Sequence, residues 1–206
     1  MTFRTDGVWG FYPIVETASQ VAWLLELGCR TVQLRDKVHT GGVLRHEVKA
    51  AIAAAEAVGA QLVVNDHAAL AVELGARWVH LGQGDLDTAD LDALRSAGIG
   101  VGISTHSPGE LARALAADPA YVALGPVYAT TLKRMPWAPQ GLARVRAWRA
   151  RVSVPLCAIG GLTPERAPAT LDAGADLIAV VSDITGPDAD ARVAAWLELF
   201  ASRRTP

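Results

Sequence analysis

The chain of 206 residues is long enough for one domain with a sizeable core and too short for more than two small domains. Hydrophobic residues make up 51% of it and charged residues 19%, which excludes an intrinsically disordered protein. The formal net charge of −2 gives no support to a nucleic-acid-binding or membrane-surface protein, so an anionic ligand would need locally grouped positive charge.

Short β-branched or apolar runs recur along the chain and predict a series of strands. In chain order these runs are 9–15, 31–35, 61–65, 78–82, 100–104, 121–127, 155–161 and 177–182. Most of them are almost continuously hydrophobic, which is typical of parallel strands covered on both faces. Pro13 lies inside the first run and predicts a local break or bulge, because proline cannot donate a ladder hydrogen bond.

Segments with helical spacing separate the strands, for example residues 41–59 and 88–98. Several end in a glycine just before the next strand, as expected one position past a helix; these glycines are Gly28, Gly59, Gly75, Gly98 and Gly174. Ser107-Pro108 and Thr163-Pro164 predict helix starts, with a capping residue followed by proline at the first helical position. The alternation predicts a single-domain (β/α)₈ barrel over residues 1–206, with a loose tail from about residue 202. A doubly wound open sheet is the alternative.

The two cysteines, Cys29 and Cys157, stand apart in apolar surroundings and predict buried thiols rather than a disulfide or a metal site. The first residues lack the apolar core of a secretory signal, and no apolar run is long enough to cross a bilayer. We therefore expect a cytoplasmic protein without a membrane or nucleic-acid partner.

Polar residues concentrate where the predicted strands end, which is the end of a (β/α)₈ barrel that carries the chemistry. They are Gln33, Arg35, Lys37, Asn65, Asp66, Gln83, Asp85, Ser104, Thr105, Thr130, Thr131, Lys133, Arg134, Gly160, Gly161, Ser182 and Asp183. The opposite strand ends show no such concentration. The pattern predicts one ring of functional groups around the mouth of the barrel.

The residue types in this ring indicate their chemistry. Asp66 and Asp85 suit Mg²⁺, which takes one or two carboxylates together with substrate phosphate and water. Arg35, Lys37 and Lys133 supply positive charge for a diphosphate, and Gly160-Gly161 can expose backbone N–H groups to a second anion. Two anion positions and a divalent metal favour a transferase that holds a diphosphate ester and a monophosphate together.

Structural roles compete with these assignments. Asp66 could cap the following helix, and Asp85 could close a turn. His80, inside a strand, is typical of a hydrogen-bonded core residue. His39, His46 and His106 have no carboxylate or nucleophile partner visible in the sequence. The tryptophans, Trp137 among them, are most simply packing residues.

These residues belong to stretches that resemble the thiamine-phosphate synthase family over nearly the full chain. The stretches are VQLRDK, LVVNDHAALAVELGARWVHLGQGDL, GISTHSPGE, YVALGPVYATTLK, AIGGL and AVVSDI. The resemblance implies a (β/α)₈ barrel that joins an aminopyrimidine methyl diphosphate to a thiazole phosphate, with one Mg²⁺ per active site. Diphosphate would leave first, giving a carbocation-like pyrimidine and then thiamine phosphate.

The resemblance also implies the contacts of each substrate. The pyrimidine diphosphate would meet Gln33, Leu34, Arg35, Asp36, Lys37, Asn65, Ser104 and Lys133, of which Arg35, Lys37, Ser104 and Lys133 would be catalytic. The thiazole phosphate would meet Thr130, Thr131, Leu132, Gly160, Gly161, Val181 and Ser182. Asp66 and Asp85 match the Mg²⁺ ligands.

The loop after strand six departs from the family pattern, because Leu132 stands where a threonine is usual and cannot donate a hydroxyl hydrogen bond. Thr131 is a candidate substitute. Residues 134–140 form a longer, Pro-containing excursion that we interpret as part of a lid. A homo-oligomer is compatible with the sequence.

Three alternatives remain open at this point. A thiazole tautomerase would bind a similar thiazole phosphate but would have little use for Asp66 and Asp85. A Schiff-base aldolase would use Lys133 as its nucleophile. A barrel that binds the ligands without turnover stays open because of Leu132.

Overall fold

The strands close into a barrel. The structure, a computed structural model, describes residues 2–130 and 137–203. In these residues, eight parallel strands pair in chain order and the last pairs with the first. They are β1 Phe11–Val15, β2 Thr31–Leu34, β3 Gln61–Asn65, β4 Trp78–Leu81, β5 Gly100–Thr105, β6 Tyr121–Leu124, β7 Leu156–Ile159 and β8 Leu177–Val180. The closed sheet confirms the predicted (β/α)₈ barrel and excludes the doubly wound open sheet.

A helix follows each strand. Within the described ranges these are α1 Ala18–Glu26, α2 Gly41–Ala57, α3 Ala68–Leu74, α4 Leu91–Ser96, α5 Pro108–Ala116, α6 Gly141–Arg149, α7 Ala167–Asp172 and α8 Ala189–Ser202. The glycines predicted to end helices all have positive φ, as at Gly75 with φ 72°.

The two predicted helix starts have different outcomes. Ser107 caps α5, and its side chain accepts from the backbone N–H of Glu110. The start predicted at Thr163-Pro164 is wrong, because α7 begins only at Ala167. The intervening residues form a turn in which the Thr163 carbonyl accepts from the N–H groups of Arg166 and Ala167.

The break predicted at Pro13 is also wrong, since β1 runs without interruption from Phe11 to Val15. The register with β8 ends at Pro13, and the register with β2 begins at Ile14. The strand changes its pairing partner at the proline, so the missing N–H does not interrupt it.

Buried side chains form two clusters, one between the strands and the helices and the other inside the barrel. The inner cluster includes Tyr12, Trp78 and Tyr121, and Phe3 packs onto it from the N-terminal segment. Gly102 makes room for Tyr121, because a Cβ at this position would lie 2.0 Å from the tyrosine ring. The interior is therefore filled at the amino ends of the strands, which leaves the carboxyl ends for a site.

In the part of the chain that the structure describes, no helix combines the length and the apolar character needed to span a membrane. Helix α8 reaches Ser202, close to the start of the predicted tail. Both cysteines are buried and free, as predicted.

Candidate active site

A cavity of about 670 Å³ opens at the carboxyl ends of the strands, within the range of roughly 300–1,000 Å³ found for small-molecule sites. The predicted site residues that line it are Gln33, Arg35, Lys37, Asn65, Asp66, Asp85, Ser104, Thr130, Gly160, Gly161, Val181 and Ser182. They come from seven different strand ends and the loops that follow, so the barrel brings together residues that are distant in the sequence.

Two predicted contacts, Leu34 and Asp36, do not line the cavity. Gln33 and Arg35 face it, and successive side chains of a strand alternate in direction, so Leu34 packs instead into the core beneath the helices. Asp36 is buried and holds the next turn, where its carboxylate accepts from the backbone N–H groups of Val38 and His39 and pairs with the His39 ring. Their side chains thus have structural roles.

The predicted contacts Thr131, Leu132 and Lys133 lie outside the described residues, as do residues 134–136 of the predicted lid. The described part of the predicted lid, residues 137–140, packs against the barrel. Trp137 stacks on His106 with ring centroids 5.4 Å apart, and the side chain of Gln140 donates to the His106 carbonyl over 2.7 Å. His106 also pairs with Glu110, a partner that the sequence alone did not reveal.

The two carboxylates expected to hold a metal both line the cavity. Asp66 has φ 63°, a left-handed conformation that aspartate and asparagine tolerate better than most residues, and it does not cap α3. Its carboxylate forms an ion pair with Lys37. Asp85 begins a short 3₁₀ helix, Asp85–Asp87, and accepts from the N–H of Gly82 over 3.0 Å, so it closes a turn while facing the cavity.

The donor set fits Mg²⁺ better than a transition metal. In the described residues no group of three or more His, Cys, Asp or Glu side chains is placed to hold an ion. Two carboxylates without imidazole or thiolate suit a hard cation that takes its remaining ligands from water and substrate phosphate. The chemistry of Asp66 and Asp85 therefore fits the predicted ion, whose remaining ligands would come from water and substrate.

A chain of hydrogen bonds runs across the inner end of the cavity. The amide nitrogen Nε2 of Gln33 donates to the Tyr12 hydroxyl over 2.7 Å, and this hydroxyl lies 2.8 Å from that of Tyr121. Tyr121 then meets Nδ1 of His80 at 2.9 Å, and Nε2 of His80 meets the Ser104 hydroxyl at 2.8 Å. The prediction that His80 is a hydrogen-bonded core residue is confirmed, and His80 lines the cavity as well.

Burial sets the protonation of this chain. It lowers the pKa of His80 to about 4, so the imidazole is neutral near pH 7. Burial also raises the pKa values of Tyr12 and Tyr121, which keeps both hydroxyls protonated.

The opposite side of the cavity is formed by Gly160, Gly161, Val181 and Ser182, which we call the glycine corner. Both glycines have positive φ, and a Cβ on Gly161 would lie 2.3 Å from the carbonyl oxygen of Ala129. Only glycine lets the loop after β6 approach β7 this closely. Behind Ser182, Asp183 is held by Arg192 and by the indole N–H of Trp196.

This arrangement has counterparts among known proteins. A family model described as thiamine monophosphate synthase matches residues 12–184. The chain belongs to this family. The matched range contains every residue that lines the cavity, from Tyr12 to Asp183, so the resemblance predicted from the sequence is confirmed where the site is built.

Two relatives match over most of their length. The thiamine-phosphate synthase of Rhizobium etli is 53% identical over 197 residues, which cover 95% of this chain and 97% of that protein. That of Cronobacter sakazakii is 49% identical over 181 residues, with 87% and 86% covered. Among solved structures, a thiamine phosphate pyrophosphorylase from Pyrococcus furiosus has a TM-score of 0.83 at 24% identity, covers 95% of this chain and 97% of its own, and supports the fold.

The prediction from the sequence missed several residues that line the cavity of this member of the thiamine monophosphate synthase family. They are Tyr12, Ile14, Glu16, His106, Ala123, Cys157, Ile159 and Ala179. Glu16 and His106 directly follow β1 and β5, and the other six lie within strands, on the amino-terminal side of the polar ends. Counting back in steps of two from those ends would have found Ala123, Cys157 and Ile159, because alternate residues of a strand share one face.

Proposed function

We propose that the protein is a Mg²⁺-dependent thiamine-phosphate synthase that transfers the aminopyrimidine methyl group from its diphosphate to the nitrogen of the thiazole phosphate. The observation that carries this proposal is the single cavity that joins two carboxylates, two cations and the glycine corner in a chain of this family. One site can then hold a diphosphate, a divalent ion and a second phosphate.

The pyrimidine diphosphate would bind on the side of β2 and β3. Arg35 offers a planar fork to the phosphate oxygens and Lys37 a compact charge, with Asn65 beside them. Gln33 and Ser104 lie deeper and would hold the aminopyrimidine ring. Leu34 and Asp36 would contribute only through their backbone, and the predicted role of Lys133 stays a prediction from the sequence.

Asp66 and Asp85 would hold Mg²⁺, and the ion would supply positive charge to offset that of the departing diphosphate. Lys37 already pairs with Asp66, so its ammonium group lies beside the same oxygens. Both positive charges would then act on one leaving group.

The thiazole phosphate would bind at the glycine corner, together with Thr130 and the predicted contacts Thr131 and Leu132. Backbone N–H groups of a glycine-rich loop can approach an anion closely because no Cβ shields them. This division puts the two phosphate groups on opposite sides of the cavity and the reacting atoms between them.

The residues of the site position and stabilise rather than attack. The electron-rich aminopyrimidine can lose diphosphate to give a stabilised cation, and Arg35, Lys37 and Lys133 would stabilise the leaving anion. The thiazole nitrogen is itself nucleophilic, so holding it at near-attack distance supplies much of the remaining acceleration. The reaction needs no protein nucleophile.

The experiment that tests this function is a coupling assay. The purified protein is incubated with the pyrimidine diphosphate, the thiazole phosphate and Mg²⁺, and product is converted to fluorescent thiochrome, with and without EDTA. Product that EDTA abolishes supports the proposal, and product that survives EDTA removes the metal assignment. Binding of both ligands without product would indicate a barrel that has kept its pocket and lost turnover.

A cytoplasmic location and a homo-oligomer remain expectations from the sequence. Small-molecule substrates follow from the proposed reaction.

A further inference from the structure

The hydrogen-bond chain beneath the cavity joins two residues at the cavity wall that have no bond to each other. We call Tyr12, Tyr121 and His80 the relay, with Gln33 at one end and Ser104 at the other. All four links are 2.7–2.9 Å long, and they connect strands β1, β2, β4, β5 and β6. Tyr121 lies below the cavity lining and is 0% exposed.

The number of hydrogens available for hydrogen bonding sets which group is the donor and which is the acceptor at each link of the relay. Gln33 donates to Tyr12, so the single hydroxyl hydrogen of Tyr12 can go to Tyr121, whose own hydrogen goes to Nδ1 of His80. His80 then donates from Nε2 to Ser104. In the opposite direction, the Tyr12 hydroxyl would accept from both Gln33 and Tyr121, and its own hydrogen would have no acceptor within the relay.

This direction decides what each end offers to a ligand. The Ser104 oxygen accepts from His80, so its own hydrogen is available as a donor. Gln33 uses its nitrogen in the relay, which leaves its carbonyl oxygen as an acceptor. An aminopyrimidine carries the complementary pair, an amino group that donates and ring nitrogens that accept.

We propose that Tyr12, Tyr121 and His80 are positioning residues that couple the orientation of the Gln33 amide to that of the Ser104 hydroxyl and so select the aminopyrimidine ring. The inference rests on the proposed function, since it assigns that ring to this part of the cavity. Three of the links are buried and the one between His80 and Ser104 is partly buried, and hydrogen bonds in a chain strengthen one another where water is excluded. Removing the Tyr121 hydroxyl should therefore disorient the Gln33 amide and the Ser104 hydroxyl, although Tyr121 forms no hydrogen bond with either.

Tyr121→Phe tests the relay, because it removes one hydroxyl without changing the cavity wall. We expect the KM for the pyrimidine diphosphate to rise about five- to tenfold, the effect of one net hydrogen bond, while the KM for the thiazole phosphate stays within about twofold. Tyr12→Phe breaks the neighbouring link and should give the same split between the two KM values.

The matched control is Thr105→Val. The prediction that Thr105 belongs to the ring around the barrel mouth is wrong, because it does not line the cavity. It follows Ser104 but faces the opposite side of β5, where its hydroxyl donates to the Ala123 carbonyl and accepts from the Trp148 indole. Like Tyr121→Phe, this variant loses one buried hydroxyl that makes two hydrogen bonds, here to β6 and to helix α6. It should lower the Tm as Tyr121→Phe does and leave both KM values unchanged.

A double-mutant cycle of Tyr121→Phe with Ser104→Ala measures the coupling directly. The expectation follows from Tyr121 acting through Ser104. The fold-loss of affinity for the pyrimidine diphosphate in the double variant should be at least about threefold smaller than the product of the fold-losses in the two single variants. Three outcomes would overturn the relay. In the first, the double-variant loss equals the product of the single losses within about twofold. In the others, Tyr121→Phe raises the KM values of both substrates equally, or Thr105→Val changes the KM for the pyrimidine diphosphate as much as Tyr121→Phe does.

Failure of the relay can be distinguished from failure of the proposed function. If the wild type forms no thiamine phosphate, the same variants are compared by calorimetry with the pyrimidine diphosphate alone. Five- to tenfold weaker binding in Tyr121→Phe, but not in Thr105→Val, would support the relay without turnover. Equal binding in all three proteins would overturn it.

Discussion

Asp66 combines a left-handed backbone conformation with a charge that faces the cavity. Its φ of 63° favours residues that tolerate the left-handed region, and its carboxylate faces the cavity beside Lys37. Replacement by alanine would change both properties at once. Asparagine tolerates the same backbone and keeps the shape of the side chain, so it isolates the charge.

Asp66→Asn should lower turnover at saturating substrates by about a hundredfold, because a proposed metal ligand loses its charge. The thermal midpoint should change by no more than about 2 °C, since the ion pair with Lys37 is partly exposed and such pairs add little stability. The thiochrome assay and differential scanning calorimetry measure the two effects.

Asp87→Asn is the control for that substitution. Asp87 lies in the same 3₁₀ helix as Asp85 but pairs with Arg113 at the surface. It should retain full turnover. Wild-type turnover in Asp66→Asn at saturating Mg²⁺ would contradict the metal assignment.

The turn between β2 and α2 depends on Asp36. Both N–H groups that it binds, those of Val38 and His39, lie 3.0 Å from Oδ1, and the His39 ring lies 2.8 Å from Oδ2. Burial by itself raises the pKa of Asp36, but the hydrogen bonds from His39 and Val38 outweigh it, and the pKa is lowered. The turn begins directly before Lys37, so it orients one of the proposed diphosphate contacts.

Asp36→Asn should reduce the free energy of unfolding by about 1–2 kcal/mol at pH 7. A carboxyl group with a lowered folded-state pKa stabilises the protein fully above its unfolded value of about 3.9, and this contribution is lost as the pH falls through the lower folded-state value. The difference in the free energy of unfolding between the wild type and Asp36→Asn should therefore decrease as the pH is lowered from 6 to 3. Urea unfolding across this range measures it, and a constant difference would show that the charge of Asp36 does not stabilise the turn.

The whole barrel separates stability from chemistry by its two ends. At the amino ends of the strands, the Phe3 ring packs edge-on against Trp78, with ring centroids 4.8 Å apart, and tilted by 38° against Tyr121, with centroids 4.7 Å apart. The backbone of Arg4 exchanges two hydrogen bonds with the Gln61 side chain and keeps this segment in place. The carboxyl ends carry the cavity, so changes at either end should have separable effects.

Phe3→Ala should lower the free energy of unfolding by about 3 kcal/mol, because it leaves a void beneath the aromatic cluster. Phe3→Leu fills most of that volume and should cost only about 1 kcal/mol. Urea denaturation of both variants measures the difference. If Phe3→Ala unfolds like the wild type, the N-terminal segment does not belong to the core.

By itself, the sequence determined the barrel and most of the polar residues at the mouth of its cavity. Continuous hydrophobic strands, glycines with positive φ after helices and polar residues at strand ends are local signals, and closing the barrel brings those ends together. This is why Asp66, Asp85 and Gly160 could be predicted to lie around one site before any contact was known, and all three line the cavity.

Only the tertiary structure decided which side chains face the cavity and which connect beneath it. Leu34 and Asp36 lie among the predicted contacts in the sequence, but strand alternation and the β2–α2 turn direct their side chains elsewhere. The relay joins residues up to 109 positions apart, Tyr12 and Tyr121, through hydroxyl groups whose partners lie on other strands. No local pattern encodes such a contact, because it exists only once the barrel has closed.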